Sequence, residues 1–152
     1  MSVSGLRQSC EFADVSGRVM QSRPLTPNES RALLIDVHTD QGGRLVEQLN
    51  RAGFRTDLTV SWSAARGALA ANFYHSCVVV ANLNRQADLD QLDVLRRAAL
   101  RVWIIVVSDL PTEDALVIAH RQGVDAVITA PFSVQDLTSR LAAFALRARP
   151  AF

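Results

Sequence analysis

The side chains able to do chemistry in this sequence are few and scattered. Of its 152 residues, 16 are basic and all 16 are arginine. Without a lysine there is no Schiff base, no P-loop lysine and no amine clamp on a phosphoryl group. Cys10 and Cys77 are too few for a disulfide framework, and no Cys/His cluster has the spacing of a zinc site. His75 and His120 stand alone and read as surface residues. No Ser/His/Asp set, paired carboxylates or glycine-rich phosphate loop stands out, so an enzyme is not expected. What remains is a short set of polar residues, each directly after an apolar run. Asp36 follows Ala32-Leu33-Leu34-Ile35, Asn82 follows Cys77-Val78-Val79-Val80-Ala81, and Ser108 follows Val102-Trp103-Ile104-Ile105-Val106-Val107.

Runs of that length, bounded by polar residues, fit strands buried on both faces. Between them lie segments with helical periodicity. Leu45, Val46, Leu49 and Ala52 mark the first, with Thr39 or Asp40 as cap and Gly53 as the left-handed stop; Gly42 and Gly43 weaken its first turn. Phe54 to Val60 reads as a more polar strand near an edge. Ser61 or Ser63 caps a helix through Ala64, Ala65, Ala68, Leu69 and Phe73. Leu89, Leu92, Leu95 and Ala99 mark a third helix, and Thr112 to Gln122 a fourth, stopped by Gly123. Val124 to Thr129 is a fifth strand. Ser133 and Asp136 resemble a capping box opening a last helix, with Leu137, Leu141, Phe144 and Ala145 inward. Five strands alternating with five helices predict an α/β fold: a doubly wound five-stranded parallel sheet in a three-layer sandwich. Functional groups in such sheets gather at the carboxyl ends of the strands. The polar residues singled out above stand at those ends.

Residues 1–30 differ. They are rich in serine, glycine and proline, and Arg23-Pro24-Leu25-Thr26-Pro27 cannot be a helix interior. They read as a flexible N-terminal extension to a domain covering 31–148. With 15 acidic residues against the 16 arginines, the balanced charge gives no footprint for direct nucleic-acid binding. No apolar segment approaches the length of a membrane span, and no signal peptide is evident, so the cytoplasm is the default.

From residue 31 to about 148 the sequence resembles a response-regulator receiver domain, the CheY-like, flavodoxin-like module of two-component and phosphorelay signalling. Arg31-Ala32-Leu33-Leu34-Ile35-Asp36 resembles the first receiver strand, and Trp103 to Asp109 the fourth, with Ser108 at the Thr/Ser position. Gly123 to Phe132 resembles the fifth strand and the Lys-Pro-Phe turn. A working receiver joins two acids, a phosphoacceptor Asp, a Thr/Ser and a Lys around a magnesium ion and a phosphoryl group. Here Val37 replaces one acid, Asn82 the acceptor and Ala130 the lysine, while Val127 stands at the aromatic switch position. Only Asp36 and Ser108 survive. The losses are consistent with one another, because removing the lysine alone would leave buried carboxylates uncompensated. Asp109 at the entrance repels an anionic phosphodonor.

The expectation is therefore a stand-alone pseudo-receiver that works by protein–protein contact without aspartyl phosphorylation, cofactor or metal. Its partner would be a signalling kinase, regulator or output protein, with a homodimer possible. The resemblance implies a docking face on the fourth helix, fifth strand and fifth helix, around Leu116, Ala119, Val127, Leu137, Leu141 and Phe144. No DNA-binding helix-turn-helix follows, so output is expected to run through a partner. The alternatives are residual metal or phosphoryl binding in the degenerate pocket and a small-ligand module. Locally, Asp36 is expected to bond loop amides or cap the first helix, Asn82 to fix the loop after the third strand, and Ser108 to bond a neighbouring loop. Asp36-Val37-His38 also begins like the Asp-x-His-x-x-Gly motif of cobalamin-binding domains. The glycine falls one place late, at Gly42, and His38 reads as a solvated loop residue. Trp103 is expected to pack against the last helix, and Arg140, Arg147 and Arg149 to complement its C-terminus.

Overall fold

The computed structural model describes residues 31–147 and Arg149. The extension expected over 1–30, and Ala148 at the expected domain end, lie outside the described residues. Five strands, β1 (Arg31–Asp36), β2 (Arg55–Thr59), β3 (Ser76–Val80), β4 (Trp103–Ser108) and β5 (Ala126–Thr129), alternate with five helices. These are α1 (Gly42–Arg51), α2 (Trp62–Ala71), α3 (Gln86–Ala98), α4 (Glu113–Arg121) and α5 (Val134–Ala145). All the pairings are parallel, in the order β2-β1-β3-β4-β5. The chain reverses direction across the sheet between β1 and β3, which puts the cleft at the carboxyl ends of those strands.

Strand alternation divides the core into two layers. Leu33, Ile35, Cys77, Val79, Ile104 and Val106 face one side, against Ala65, Leu89, Leu92, Leu95, Ala115 and Ala119 of α2, α3 and α4. Leu34, Val78, Trp103, Ile105 and Val107 face the other, against α1 and α5 through Leu45, Leu49, Leu137, Leu141 and Phe144. The three central strands are buried on both faces, while β2 is an edge strand in which Thr56 alone is buried. This is the arrangement that the apolar runs predicted.

Helix ends follow the sequence signals in most places. Ser61 Oγ accepts from the Ala64 amide and Thr112 Oγ1 from the Ala115 amide, each at 3.1 Å. Ser133 and Asp136 form the reciprocal capping box. Gly53 and Gly123 take the left-handed conformation, with φ of 98° and 99°. Helix α1 differs from expectation. Neither Thr39 nor Asp40 caps it; the N-cap is Gln41, which makes no side-chain bond. The Thr39 hydroxyl is given to Asp36 instead. Gly42, which lowers the helix propensity, has a packing reason: a Cβ there would lie 2.8 Å from Leu58 Cδ1 and 3.0 Å from Asp36 Cβ. Phe73 also lies outside the helix expected to run through it. Helix α2 ends at Ala71, Phe73 is 69% exposed, and Tyr74 fills the core instead.

Candidate functional site

The cleft is built by three loops, each starting where a central strand stops. Asp36 ends β1 and is buried among apolar neighbours, so its carboxylate needs donors. The loop supplies them: the Thr39 amide donates to Oδ1 at 3.0 Å and the Thr39 hydroxyl to Oδ2 at 2.5 Å. Asn82 follows β3 and folds back on its own loop, its Oδ1 accepting from the Asn84 amide at 3.0 Å. Ser108 ends β4, 2% exposed, and its Oγ accepts from the Leu83 amide at 3.1 Å. Asp36 and Asn82 thus bond within their own loops and Ser108 bonds the neighbouring loop, as the sequence suggested.

His38, Asn82, Ser108, Asp109 and Ala130 line one cavity of about 330 Å³, with Thr39, Arg85, Val107 and Phe132 among the other walls. Val80, Ala81, Val107 and Ala130 are its aliphatic lining, and Arg85 and Asp109 add one charge of each sign. Asp36 opens instead into a neighbouring groove with Asp40, Gln41, Gly42 and Arg44. Val37 is half-buried and packs on the α2–α4 side of the core. The structure therefore brings Asn82, Ser108 and Ala130 to one cavity and turns the Asp36 carboxylate into its own loop.

A divalent cation does not fit this donor set. Magnesium demands several oxygens in near-octahedral array. Both Asp36 oxygens are taken by Thr39, Val37 has none to give, and Asn82 Oδ1 is engaged by Asn84. Among the described residues no group of three or more His, Cys, Asp or Glu is placed to hold a metal.

One residue of the site had no part in the sequence reading. Asp88, in the first turn of α3, is 1% exposed. Its Oδ2 accepts from the Asn82 amide at 2.9 Å, and His38 Nε2 lies 2.8 Å and 3.1 Å from its two oxygens. His38 is an exposed loop residue, as expected, and its ring is also bonded. The signal available was an acid in the first turn of a helix, where the dipole favours it. That signal does not reveal a partner 50 residues away. Asn84 was missed in the same way: its side chain accepts from the Thr112 amide at 2.9 Å and donates to the Leu110 carbonyl at 3.1 Å, tying the β3–α3 loop to the β4–α4 loop.

Burial corrects the expected docking face. Ala119, Leu137, Leu141 and Phe144 are at most 5% exposed and form core. They recur at helical spacing on the inward side of α4 and α5, the same periodicity that marked them as apolar. Leu116 and Val127 are partly exposed, and the large apolar residues that α4 presents outward are Val117 and Ile118. Beside them a groove between β5 and α5 is lined by Val127, Thr129, Pro131, Asp136 and Arg140.

The opposite end of the sheet is charged. Asp125 accepts from Arg96 and Arg149, each at 2.9 Å, and also from the Ile104 amide. Burial pulls the Arg96 guanidinium down to about 10, helped by the charge of Arg149 and opposed by Asp125. Trp103 stacks on Phe144 of α5 at 4.3 Å, as expected, and donates from Nε1 to the Arg147 carbonyl. His75, expected at the surface, is buried, because its Nε2 donates to the Phe144 carbonyl at 2.7 Å. His120, more exposed, reaches the Val124 carbonyl. No described helix is long and apolar enough to cross a membrane.

No protein-family model matches the chain. A curated relative, the transcriptional regulatory protein RprY of Bacteroides fragilis, is 27% identical over 119 residues. That alignment covers 78% of this chain and 50% of RprY, so the chain spans about half the length of the relative it matches. Among solved structures it is similar to HP1043, an orphan response regulator of H. pylori, with a TM-score of 0.64 and 28% identity over 79% of this chain and 98% of that one. It is also similar to an atypical orphan response regulator described as having a phosphorylation-independent regulatory mechanism, with a TM-score of 0.60 and 27% identity, covering 76% and 94% of the two chains. A two-component response regulator from Clostridium difficile shares the fold, with a TM-score of 0.68 at 19% identity over 78% and 97%. Strand order, connection pattern and these likenesses agree: the chain is a receiver-domain-like module with the CheY-like fold, and atypical and orphan response regulators are among its matches.

Proposed function

We propose that this module, residues 31–148, signals by protein–protein contact without aspartyl phosphorylation. The observation that carries the reading is Asn82. It stands at the end of β3, where a receiver's acceptor would be, and presents an amide already bonded to its own loop. An amide is not a carboxylate nucleophile. Val37 in place of the second acid and Ala130 in place of the lysine remove the rest of the phosphoryl-handling set together. The neutralised pocket avoids the cost of unpaired buried carboxylates. A partner of the kinase, regulator or output-protein kind would then read a surface rather than a phosphoryl group, in the cytoplasm. The docking surface we favour is the outward side of α4 with β5 and α5: Val117 and Ile118, bordered by Leu116 and Val127 and rimmed by Asp136 and Arg140. A second copy of the chain is the alternative occupant.

The test is to add beryllium fluoride or acetyl phosphate with magnesium and follow the amide NMR spectrum. The expected outcome is no site-specific change. Shifts confined to the amides around Asp36, Asn82 and Ser108 would overturn the proposal.

A further inference from the structure

The loops of the cleft are cross-linked by side chains. The β3–α3 loop is held on one side by Ser108 Oγ and the Asn84 side chain, which bind it to the end of β4 and the β4–α4 loop. On its other side Asp88 Oδ2 takes the Asn82 amide. The same carboxylate takes His38 Nε2 from the β1–α1 loop, at 2.8 Å and 3.1 Å to its two oxygens. Asp88 is 1% exposed and sits in the first turn of α3. Its charge is supported there by the helix dipole, and each added donor lowers the cost of burying it. The histidine side chain is 30% exposed, so it closes the cleft from the solvent side.

We infer that His38 and Asp88 form a latch that fastens the β1–α1 loop to α3 and the β3–α3 loop, holding the cleft loops in one conformation. The bond does by side chains what a shared ligand between two loops would do: it joins residues 50 apart through one carboxylate. A single anchor serves both loops, because Asp88 binds the backbone of Asn82 and the ring of His38 at once. Opening the β1–α1 loop therefore removes a donor from a buried carboxylate and weakens its hold on Asn82. This coupling stands on the hydrogen-bond geometry and holds whether or not the pocket takes a phosphoryl group.

The experiment is amide hydrogen exchange on the full chain, wild type against His38→Ala, Asp88→Asn and the double variant. Charge-assisted hydrogen bonds of this kind correspond to about a tenfold change in a local opening equilibrium. In His38→Ala, which leaves no side-chain donor, exchange at residues 37–41 and at the Asn82 amide should rise about tenfold, while the β3 and β4 amides keep wild-type protection. The double variant should open these loops no more than Asp88→Asn alone, as expected when two residues act as one unit. Unchanged exchange in His38→Ala, or an even rise across the whole sheet, would overturn the latch. Additive effects of the two substitutions would overturn it as well. If Asp88→Asn does not fold, His38→Ala decides by itself.

Discussion

The two ends of the sheet solve the problem of buried polarity in opposite ways. At the amino ends of the strands charge is kept and matched. Asp125 lies between Arg96 and Arg149, with side-chain exposures of 13%, 9% and 12%, and Arg31 and Tyr74 both reach Asp57. Arg147 adds its cation over the stacked Trp103 and Phe144 rings. At the carboxyl ends charge has been thinned out. Val37, Asn82 and Ala130 are uncharged, and the two buried carboxylates, Asp36 and Asp88, take hydroxyl, amide and imidazole donors from loops. Guanidinium–carboxylate contacts fasten the amino end, where β4, β5 and the segment after α5 meet. Short neutral and histidine contacts hold the end where a receiver would do its chemistry. Ionic matching in this molecule is an architectural device, separated in space from the candidate site.

The sharpest way to break that comparison is to remove the hub of the charged end. Asp125→Ala leaves two largely buried guanidinium groups facing each other and takes the acceptor from the Ile104 amide. Removing one partner of a buried ion pair costs about 3 kcal/mol or more. Urea denaturation should show that loss in the midpoint. A loss below about 1 kcal/mol would place Asp125 among ordinary surface pairs and end the contrast.

A smaller effect is expected from returning charge to the other end. Asn82→Asp adds a carboxylate to a region that already holds Asp36, Asp88 and Asp109, against the one guanidinium of Arg85 on the same cavity. The half-buried position makes the cost about 1 kcal/mol. Adding Ala130→Lys to the same chain should recover most of it, since both residues line one cavity. The measurement is a double-mutant cycle on unfolding free energies. A coupling near zero would mean that the neutral residues did not change in step for electrostatic reasons.

The sequence made the architecture readable and the cross-links hard to read, for one physical reason. Secondary structure and core follow from short-range periodicity, so β1, β3 and β4 are visible as apolar runs and α5 as a capping box with inward Leu137 and Leu141. The local bonds of Asp36 and Asn82 are visible too, because their partners lie two or three residues away. Asp88 with His38, Asn84 with Thr112 and Asp125 with Arg149 are long-range pairs between polar residues. Polar residues carry no period, and each of these looks like a solvated residue until the fold sets its partner beside it. The expected docking residues Ala119, Leu137, Leu141 and Phe144 show the converse. Their pattern is legible as apolar, and the same pattern assigns them to the core before any surface.

The mildest test concerns the polar cluster at the sheet edge, where the charged end meets solvent. Asp57 lies below its usual carboxylate range, first because Tyr74 Oη donates to it at 2.7 Å and then because Arg31 adds a hydrogen bond and a positive charge; partial burial opposes both. The Tyr74 hydroxyl is correspondingly pushed up to about 12, by burial first and then by Asp57. A carboxylate lowered in the folded state contributes stability above its unfolded value of 3.8 and loses it as pH falls through the lower folded value. Tyr74→Phe should therefore cost about 0.5 kcal/mol at neutral pH, because the carboxylate is half-exposed and screened. That difference should fade as the pH drops below 3.8. Thermal melts of both chains from pH 7 to pH 2.5 give the comparison directly. A difference that stays constant down to the acid limit would mean that the Tyr74 hydroxyl stabilises the fold without the charge of Asp57, and that the charged end reaches no further than Arg96, Asp125 and Arg149.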